Sequence, residues 1–466
     1  MIVLLELFTT LISNTGSSTA AAAAADLGVS REIALICFTT TYLLAQGLGG
    51  LVLPPIAETF GGRTLYITGT LAFTIGCVSM AASPTLPVVI AGRIICGFTS
   101  ALPATVAVSS FENMFDCRPR IWVFHIWISA AVATLGMGPA VATYISTSPL
   151  GWYVVRFIIS EAPVDSSAVS GFSAVLCLAM KESRPSTILR REIRAIALAS
   201  GFDGLYYESV DNVPSFGAFC ETSLILPVRL FCTEPIVFLT STMAATVCAI
   251  IYLFPEAFPV VFADAFNFTP RQCSLVNLAI SVGVLFTFLP RLYDMRVSNA
   301  SRRNNIATQP EDKLSGFLIA APVLAIAFWV FGLTIPPLVN GLTPWIPIAS
   351  LAFVGFSVVE FDTVLAGYLT DTYTSHAASA SASLSFLRAV LSGILPLFGH
   401  RMFVGLGPNN AMFVLAGLAT LYCGVAVLFA KYEKRIRLGS KFAQHTAALE
   451  GKQAGYGEMV GGKDVR

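Results

Sequence analysis

Charge is scarce in this chain. Only 12% of its 466 residues are Asp, Glu, Lys or Arg, about half the share of an ordinary soluble domain, too little polar surface to stay dispersed in water. Net charge is +1 with no basic stripe, which argues against a nucleic-acid partner. The ten cysteines never occur as Cys-x-x-Cys and the four histidines are scattered, so no local zinc or redox motif is present and no cofactor or metal is expected. No apolar run gathers the His, Cys or clustered acids that catalysis inside a membrane would need, and an enzyme is not expected either. Met1 to Leu11 lacks a basic n-region and apolar sequence follows at once, so this stretch reads as the first half of a membrane helix instead of a signal peptide.

Long apolar runs are what the chain does have. They fall near 2–24, 35–55, 65–82, 86–110, 120–144 and 155–180, then near 235–256, 272–291, 315–337, 343–367, 377–398 and 409–430, each of about the ~20 residues that cross a bilayer as a helix. A mixed, polar seam from Lys181 to Glu234 divides the two sets. The expected architecture is an all-α membrane protein of about twelve transmembrane helices in two six-helix bundles, 1–180 and 235–430, built as parallel repeats. The seam 181–234 is then a central cytoplasmic loop and 431–466 a cytoplasmic tail. The first span is interrupted by Ser13, Asn14, Thr15, Ser17, Ser18 and Thr19, and so polar a helix should pack inward, away from lipid. The sixth is weaker, with Glu161, Pro163 and Asp165 in its first turns, and Phe202 to Cys220 resembles no regular element.

Basic residues set the orientation. With both termini cytoplasmic, 22 of the 28 Lys and Arg lie in inside segments, against three outside (Arg31, Arg271, Arg401) and three within spans (Arg93, Arg156, Arg388). The positive-inside rule selects this arrangement, and a shift by one span would reverse the second half and spoil it. Asn267-Phe268-Thr269 then faces away from the cytoplasm as a glycan acceptor made poor by Pro270.

Several residues stand out against this background. The loop after the second span carries Glu58, Gly61 and Arg63, and the corresponding loop of the second half carries Arg291, Asp294 and Arg296; an acid and a base recurring at one place in both halves is what duplication predicts. Such loops can lock helix ends by an ion pair that breaks when the helices tilt. Arg93 lies in the first third of the fourth span, where an arginine costs ~2.5–3.5 kcal/mol at the span centre; it either meets a cavity or snorkels to the interface. Gly138 and Pro139 in the fifth span allow close helix approach and remove one backbone hydrogen bond. Glu360 and Asp362 in the tenth span, two residues apart, point about 200° from each other. Both cannot face one cavity; Glu360, sharing a side with Phe356, Val359 and Thr363, is the one expected there as a proton-carrying acid, the alternative being that the two acids simply reach water or pair with Arg388 of the eleventh span. Gly457 to Asp464 has phosphate-loop spacing, but Asp464 replaces the Ser or Thr and too little chain follows for a helix to present to phosphate.

Taken together, the signatures resemble the major facilitator superfamily and, within it, the twelve-span drug:proton antiporter branch of fungi. Lys181-Glu182-Ser183-Arg184-Pro185 with Leu189-Arg190-Arg191 is similar to that branch's exit from span six. Thr233-Glu234-Pro235-Ile236 and the run Tyr252 to Phe262, which includes Glu256, resemble its seventh span, and Tyr368-Leu369-Thr370-Asp371 its loop between spans ten and eleven. By this resemblance 53–67 is motif A, Arg93 the arginine of motif B, and Gly138-Pro139 the core of the antiporter motif C. There are departures: Gly62 replaces an arginine of motif A, Ala142-Thr143 replaces the closing glycines of motif C, and Val106 takes the place of the fourth span's polar residue in a shifted register.

The resemblance implies a secondary carrier that works by alternating access and exports small, lipophilic organic compounds against protons. Its partners would be substrate, proton and bilayer, with no nucleic acid; the unit would be a monomer in the plasma membrane, or in a vacuolar or other internal one. The rival expectation is a sensor that keeps the fold and has lost coupling. The 22-to-3 charge split makes orientation testable: terminal tags should react only once the cytoplasmic side is permeabilised, and Asn267→Cys should label with an impermeant reagent on intact cells. The opposite labelling would overturn the twelve-span topology.

Overall fold

In hydrocarbon a backbone amide can bond only within its own helix or to protein beside it, and the apolar runs fold accordingly. The computed structural model describes residues 1–83, 85–115, 117–147, 182, 185–200, 217, 221–303, 314–339, 341–373 and 377–439. The sixth run at 155–180, Arg156, Lys181, residues 202–216 and the tail beyond 439 lie outside the described residues. Those described form α1 (Ile2–Leu27), α2 (Arg31–Ala57), α3 (Gly62–Ala82), α4 (Leu86–Phe111), α5 (Cys117–Ser146) and α6 (Pro185–Ser200). After the seam come α7 (Pro235–Phe266), α8 (Pro270–Arg296), α9 (Ser315–Thr334), α10 (Trp345–Thr372), α11 (Ala377–Leu406) and α12 (Pro408–Gly439). Nine of them, α2, α4, α5 and α7 to α12, are long and apolar enough to cross a membrane. Helix α1 also has span length, at 26 residues, and α3 at 21.

Short turns reverse the chain from helix to helix. Gly61, with φ 91°, joins α2 to α3 in a conformation that strains any residue with a Cβ. At the opposite end Gly28 closes α1 and Asn267, φ 53°, closes α7, while Thr269 and Gln272 form a capping box that starts α8. The two ends of the molecule are called here the Gly61 end and the Gly28 end. Four described stretches wind more loosely, as π-helix: Ile36–Thr40 in α2, Leu102–Val106 in α4, Pro259–Ala263 in α7 and Glu221–Ile225 in the seam.

The packing repeats. In the first half α1 packs on α5, α2 on α4, and α3 on α4; in the second, α7 packs on α11, α8 on α10, and α9 on α10. The halves meet through α2 with α11 and α5 with α8, a pair of crossings that exchange with each other when each helix is advanced by six. Even the closest approaches correspond. Helices α2 and α4 touch backbone to backbone at Gly49 and Gly97, where an added Cβ would overlap the carbonyls of Phe98 and Tyr42; α8 and α10 do the same at Gly283 and Gly355, against Ala352 and Ile280. Helix α1 turns its polar run inward, with Ser13, Asn14, Thr15, Ser17 and Thr19 all buried. In the seam, in addition to α6, the helix Leu226–Thr233 buries Leu230 and accepts a 2.7 Å hydrogen bond from Ser383 of α11 at Pro227 O.

Gly355→Ala is expected to destabilise the purified protein by about 1–3 kcal/mol, the usual cost of overpacking. The matched control Gly417→Ala, where a Cβ meets nothing within 4 Å, should leave the melting temperature unchanged; equal melting of the two would contradict the close crossing.

Candidate functional site: an inter-bundle cavity

Between the halves lies a cavity with about 700 Å³ of space, open solvent at its mouth included. Both halves wall it: Glu6 and Thr10 from α1, Gln46 from α2, Trp127 from α5, Tyr252 from α7, Asp362 from α10 and Arg388 from α11. Its charges are three. Arg388 Nη1 donates to both oxygens of Asp362 at 2.8 Å, so these two answer each other. Glu6, 6% exposed, accepts from Thr10 Oγ1 at 3.1 Å through Oε1, and among the described residues its Oε2 has no hydrogen-bond partner. Sequence reasoning missed Glu6 and Gln46. The signal available was a single acid one and a half turns into the first apolar run, which also fits an interfacial side chain.

Two expected cavity residues lie elsewhere. Glu360 does not line the cavity: it is fully buried on the α8 side of α10, where its Oε2 takes a 2.5 Å hydrogen bond from Arg291 Nη2. Arg291 also holds Asp294 at 2.8 Å. The expected assignment is thus reversed, with Asp362 on the cavity, because the Gly283–Gly355 contact fixes how α10 is rotated against α8. Gly316 of α9 leaves the room this pair occupies, since a Cβ there would overlap Glu360 Oε2 and stand 3.0 Å from Arg291 Nη2. Arg93 also stays out of the cavity and does not snorkel. It is 0% exposed, its guanidinium stacks 5.1 Å from the Phe38 ring and 5.8 Å from Tyr42 on α2, and none of its nitrogens has a hydrogen-bond partner among the described residues.

The remaining signature residues are mostly helix-end ties. Glu182 accepts from the backbone N–H groups of Gly62 and Arg63, both at 3.2 Å, placing an anion at the start of α3 where the helix dipole favours it. The side chain of Glu58 lies outside the described residues, as does that of Pro185; Arg296 is exposed. Glu234, just before Pro235, accepts from Tyr373 at 3.0 Å and joins the start of α7 to the end of α10. Tyr368 packs edge-on to Phe429 of α12, and Asp371 is half-buried at the end of α10. Glu256 bridges the halves at the Gly28 end through a 2.5 Å ion pair with Arg31; the neighbouring Glu32 pairs with Arg401 of α11 at 2.5 Å. Arg31 and Arg401, expected only as outside charges, thus take part in contacts between halves.

Gly138 and Pro139 have a defined job. Proline has no N–H for the carbonyl four residues back, and that carbonyl, Leu135 O, instead accepts a 2.6 Å hydrogen bond from Asn14 Nδ2 of α1. Gly138 permits the approach: a Cβ there would stand 3.1 Å from Leu11 O. In α4 the π segment adds a residue to the turn, so Thr105, not Val106, is the polar side chain presented to the cavity; Val106 is buried.

Repeated packing around a charged cavity is matched by the comparison with known families. Residues 3–396 match the Major Facilitator Superfamily. The chain belongs to this superfamily. An MFS-type transporter of Schizosaccharomyces pombe, C530.15c, is 29% identical over 426 residues, covering 89% of this chain and 78% of its own. The efflux pump radE of Floropilus chiversii is 26% identical, covering 86% and 73%, and the multidrug transporter TPO1_2 of Candida glabrata 26% identical, covering 87% and 68%. The fold is shared with the human organic anion transporter MFSD10, at TM-score 0.60 and 12% identity over 91% of this chain and 98% of the other. It is shared also with a peptide transporter, POT, at TM-score 0.58 and 14% identity over 93% and 94%.

Removing one partner of a buried ion pair strands the other, at a cost of about 3–5 kcal/mol. Arg291→Met should therefore destabilise the protein by that amount, and adding Glu360→Gln should restore part of it. Denaturation of the single and double variants measures both, and a double variant no more stable than Arg291→Met would show that the pair carries no coupling.

Proposed function

We propose that this chain is a secondary transporter that exports small, partly lipophilic organic molecules by alternating access in exchange for protons. The observation that carries the reading is the cavity walled by both repeats, with one acid left over from its charge pairing. Membership in the superfamily supports transport, and relatives that are an efflux pump and a multidrug transporter support export of organic compounds.

Glu6 is the proton carrier in this proposal, in place of Glu360. A group that changes its charge must do so without breaking the structure around it, and both Glu360 and Asp362 are engaged by arginines. Glu6 can gain or lose a proton with only Thr10 to reorient. Its charge then decides which conformation of the two bundles is favoured. The bundles would be 1–180 and 235–430, joined by a cytoplasmic loop 181–234, with both termini in the cytoplasm and a monomer in the plasma membrane as the working unit. They would rock along the α2–α11 and α5–α8 crossings. At the Gly28 end the pairs Arg31–Glu256 and Glu32–Arg401, with the 2.8 Å bond from Thr40 to Gly393 O, would part when that end opens.

Purified protein in liposomes, loaded with a lipophilic fluorescent dye, tests both levels of the proposal. The parent should move dye faster when an opposing proton gradient is imposed, and Glu6→Gln should lose that gradient dependence by about tenfold or more while still exchanging dye passively. Gradient-dependent transport by Glu6→Gln would remove Glu6 from the proton path, and no dye movement by the parent with any of a panel of substrates would count against transport itself.

A further inference from the structure

Two cysteines that no sequence motif connects face each other across α3 and α4. Cys77 Sγ and Cys96 Sγ are 3.5 Å apart, at van der Waals contact, and both residues are buried, at 0% and 1% exposure. The cause of their approach is visible in the backbone. Gly76 and Gly92 bring the helices together: a Cβ on Gly76 would stand 2.8 Å from Cys96 Sγ and 3.2 Å from Gly92 O. The other cysteines whose side chains are described, 37, 232, 248, 273 and 423, are free. One turn before Cys96 on the same helix stands Arg93, buried and without a hydrogen-bond acceptor among the described residues.

We propose that Cys77 and Cys96 are a modification site, a dithiol that hydroperoxides convert to a disulfide fastening α3 to α4. The oxidant must be small and uncharged to reach so buried a place, and hydrogen peroxide meets both conditions. In the first step peroxide oxidises one thiol to a sulfenic acid, its O–O bond breaking and one water leaving. In the second the other thiol attacks the sulfenic sulfur, the S–S bond forms, and the hydroxyl leaves as a second water. Two thiols and one peroxide thus give one disulfide and two waters. The sulfurs must close from 3.5 Å to about 2.05 Å, a movement of roughly 1.5 Å shared between two side chains at the bond length that disulfides require. The link would join helices of one half, so it restrains the level of α4 that carries Arg93 without bridging the two bundles.

The test uses the full chain in native membranes, treated with hydrogen peroxide, alkylated under denaturing conditions and mapped by mass spectrometry without reduction. A peptide linked through Cys77 and Cys96 should account for most of both residues, disappear on reduction with a phosphine and be absent from Cys77→Ser. Gly76→Ala, whose methyl displaces Cys96, should cut the yield several-fold at the same dose. If that variant fails to fold, Cys96→Ser serves in its place, and Cys77 should then stay unlinked to any other cysteine. Exposed Cys232 reports that oxidant was delivered: its oxidation with Cys77 and Cys96 both recovered as free thiols would overturn the proposal, as would a yield of linked peptide equal to that of random pairs.

Discussion

A carbonyl without a donor is tolerable in water and expensive in hydrocarbon, where it costs several kcal/mol, and this constraint organises the first half of the molecule. Pro139 creates such a carbonyl at Leu135, and Asn14 answers it from another helix. The polar run of α1, which no lipid-facing helix could carry, is therefore tied to the proline of α5, and the two features that look most irregular along the chain complete one another. With α1 seated in this way, Ser13 reaches Tyr252 across the bundle boundary at 3.1 Å, and Glu6, two turns earlier, arrives in the cavity.

The same rule governs the charges. From Glu234 onward every described buried acid has an arginine or a tyrosine beside it: Glu360 shares Arg291 with the half-buried Asp294, Asp362 has Arg388, Glu256 has Arg31, and Glu234 has Tyr373. None of these pairs is a strong source of stability, because desolvation offsets most of the attraction. Their effect is on register, since each fixes one helix against a particular neighbour. Glu6 stands apart from this pattern, bonded through one oxygen to Thr10 and, among the described residues, with no arginine or tyrosine paired to it. Arg93 stands apart too, lying against two aromatic faces with no hydrogen-bond partner among the described residues.

How much of this could be read beforehand follows from what each inference needed. Apolar length places all the described span-length helices, and the polar composition of α1 implies that it packs inward; neither depends on knowing a partner. The recurrence of an acid and a base after the second and eighth spans was legible, but not that Arg291 would turn back to Glu360, because that depends on Gly316 leaving room. The 200° between Glu360 and Asp362 was equally available. Which of them meets the cavity was not, because helix rotation is set by the Gly283–Gly355 crossing, a contact between residues 72 apart in sequence. Glu6 escaped notice for a simpler reason: near the end of a span, an acid that faces a cavity and an acid that reaches water look alike. The cysteine pair likewise has no signature along the chain, since its spacing of 19 residues spans a turn between two helices.

The π segment in α4 leads somewhere less obvious. Arg93 and Thr105 are twelve residues apart, about a third of a turn out of phase in a regular α-helix, yet both face α2: Arg93 against Phe38 and Tyr42, Thr105 with its methyl 3.3 Å from where a Cβ on Gly50 would stand. The extra residue wound into Leu102–Val106 takes up roughly that difference. In the vocabulary of crystals it is a dislocation: a local defect that lets two perfect regions meet out of step. Chain length and helix face are thereby uncoupled in α4. A deletion of one residue inside 102–106 would be absorbed by the defect, whereas the same deletion between Arg93 and Ala101 would swing one wall of the cavity away from the other.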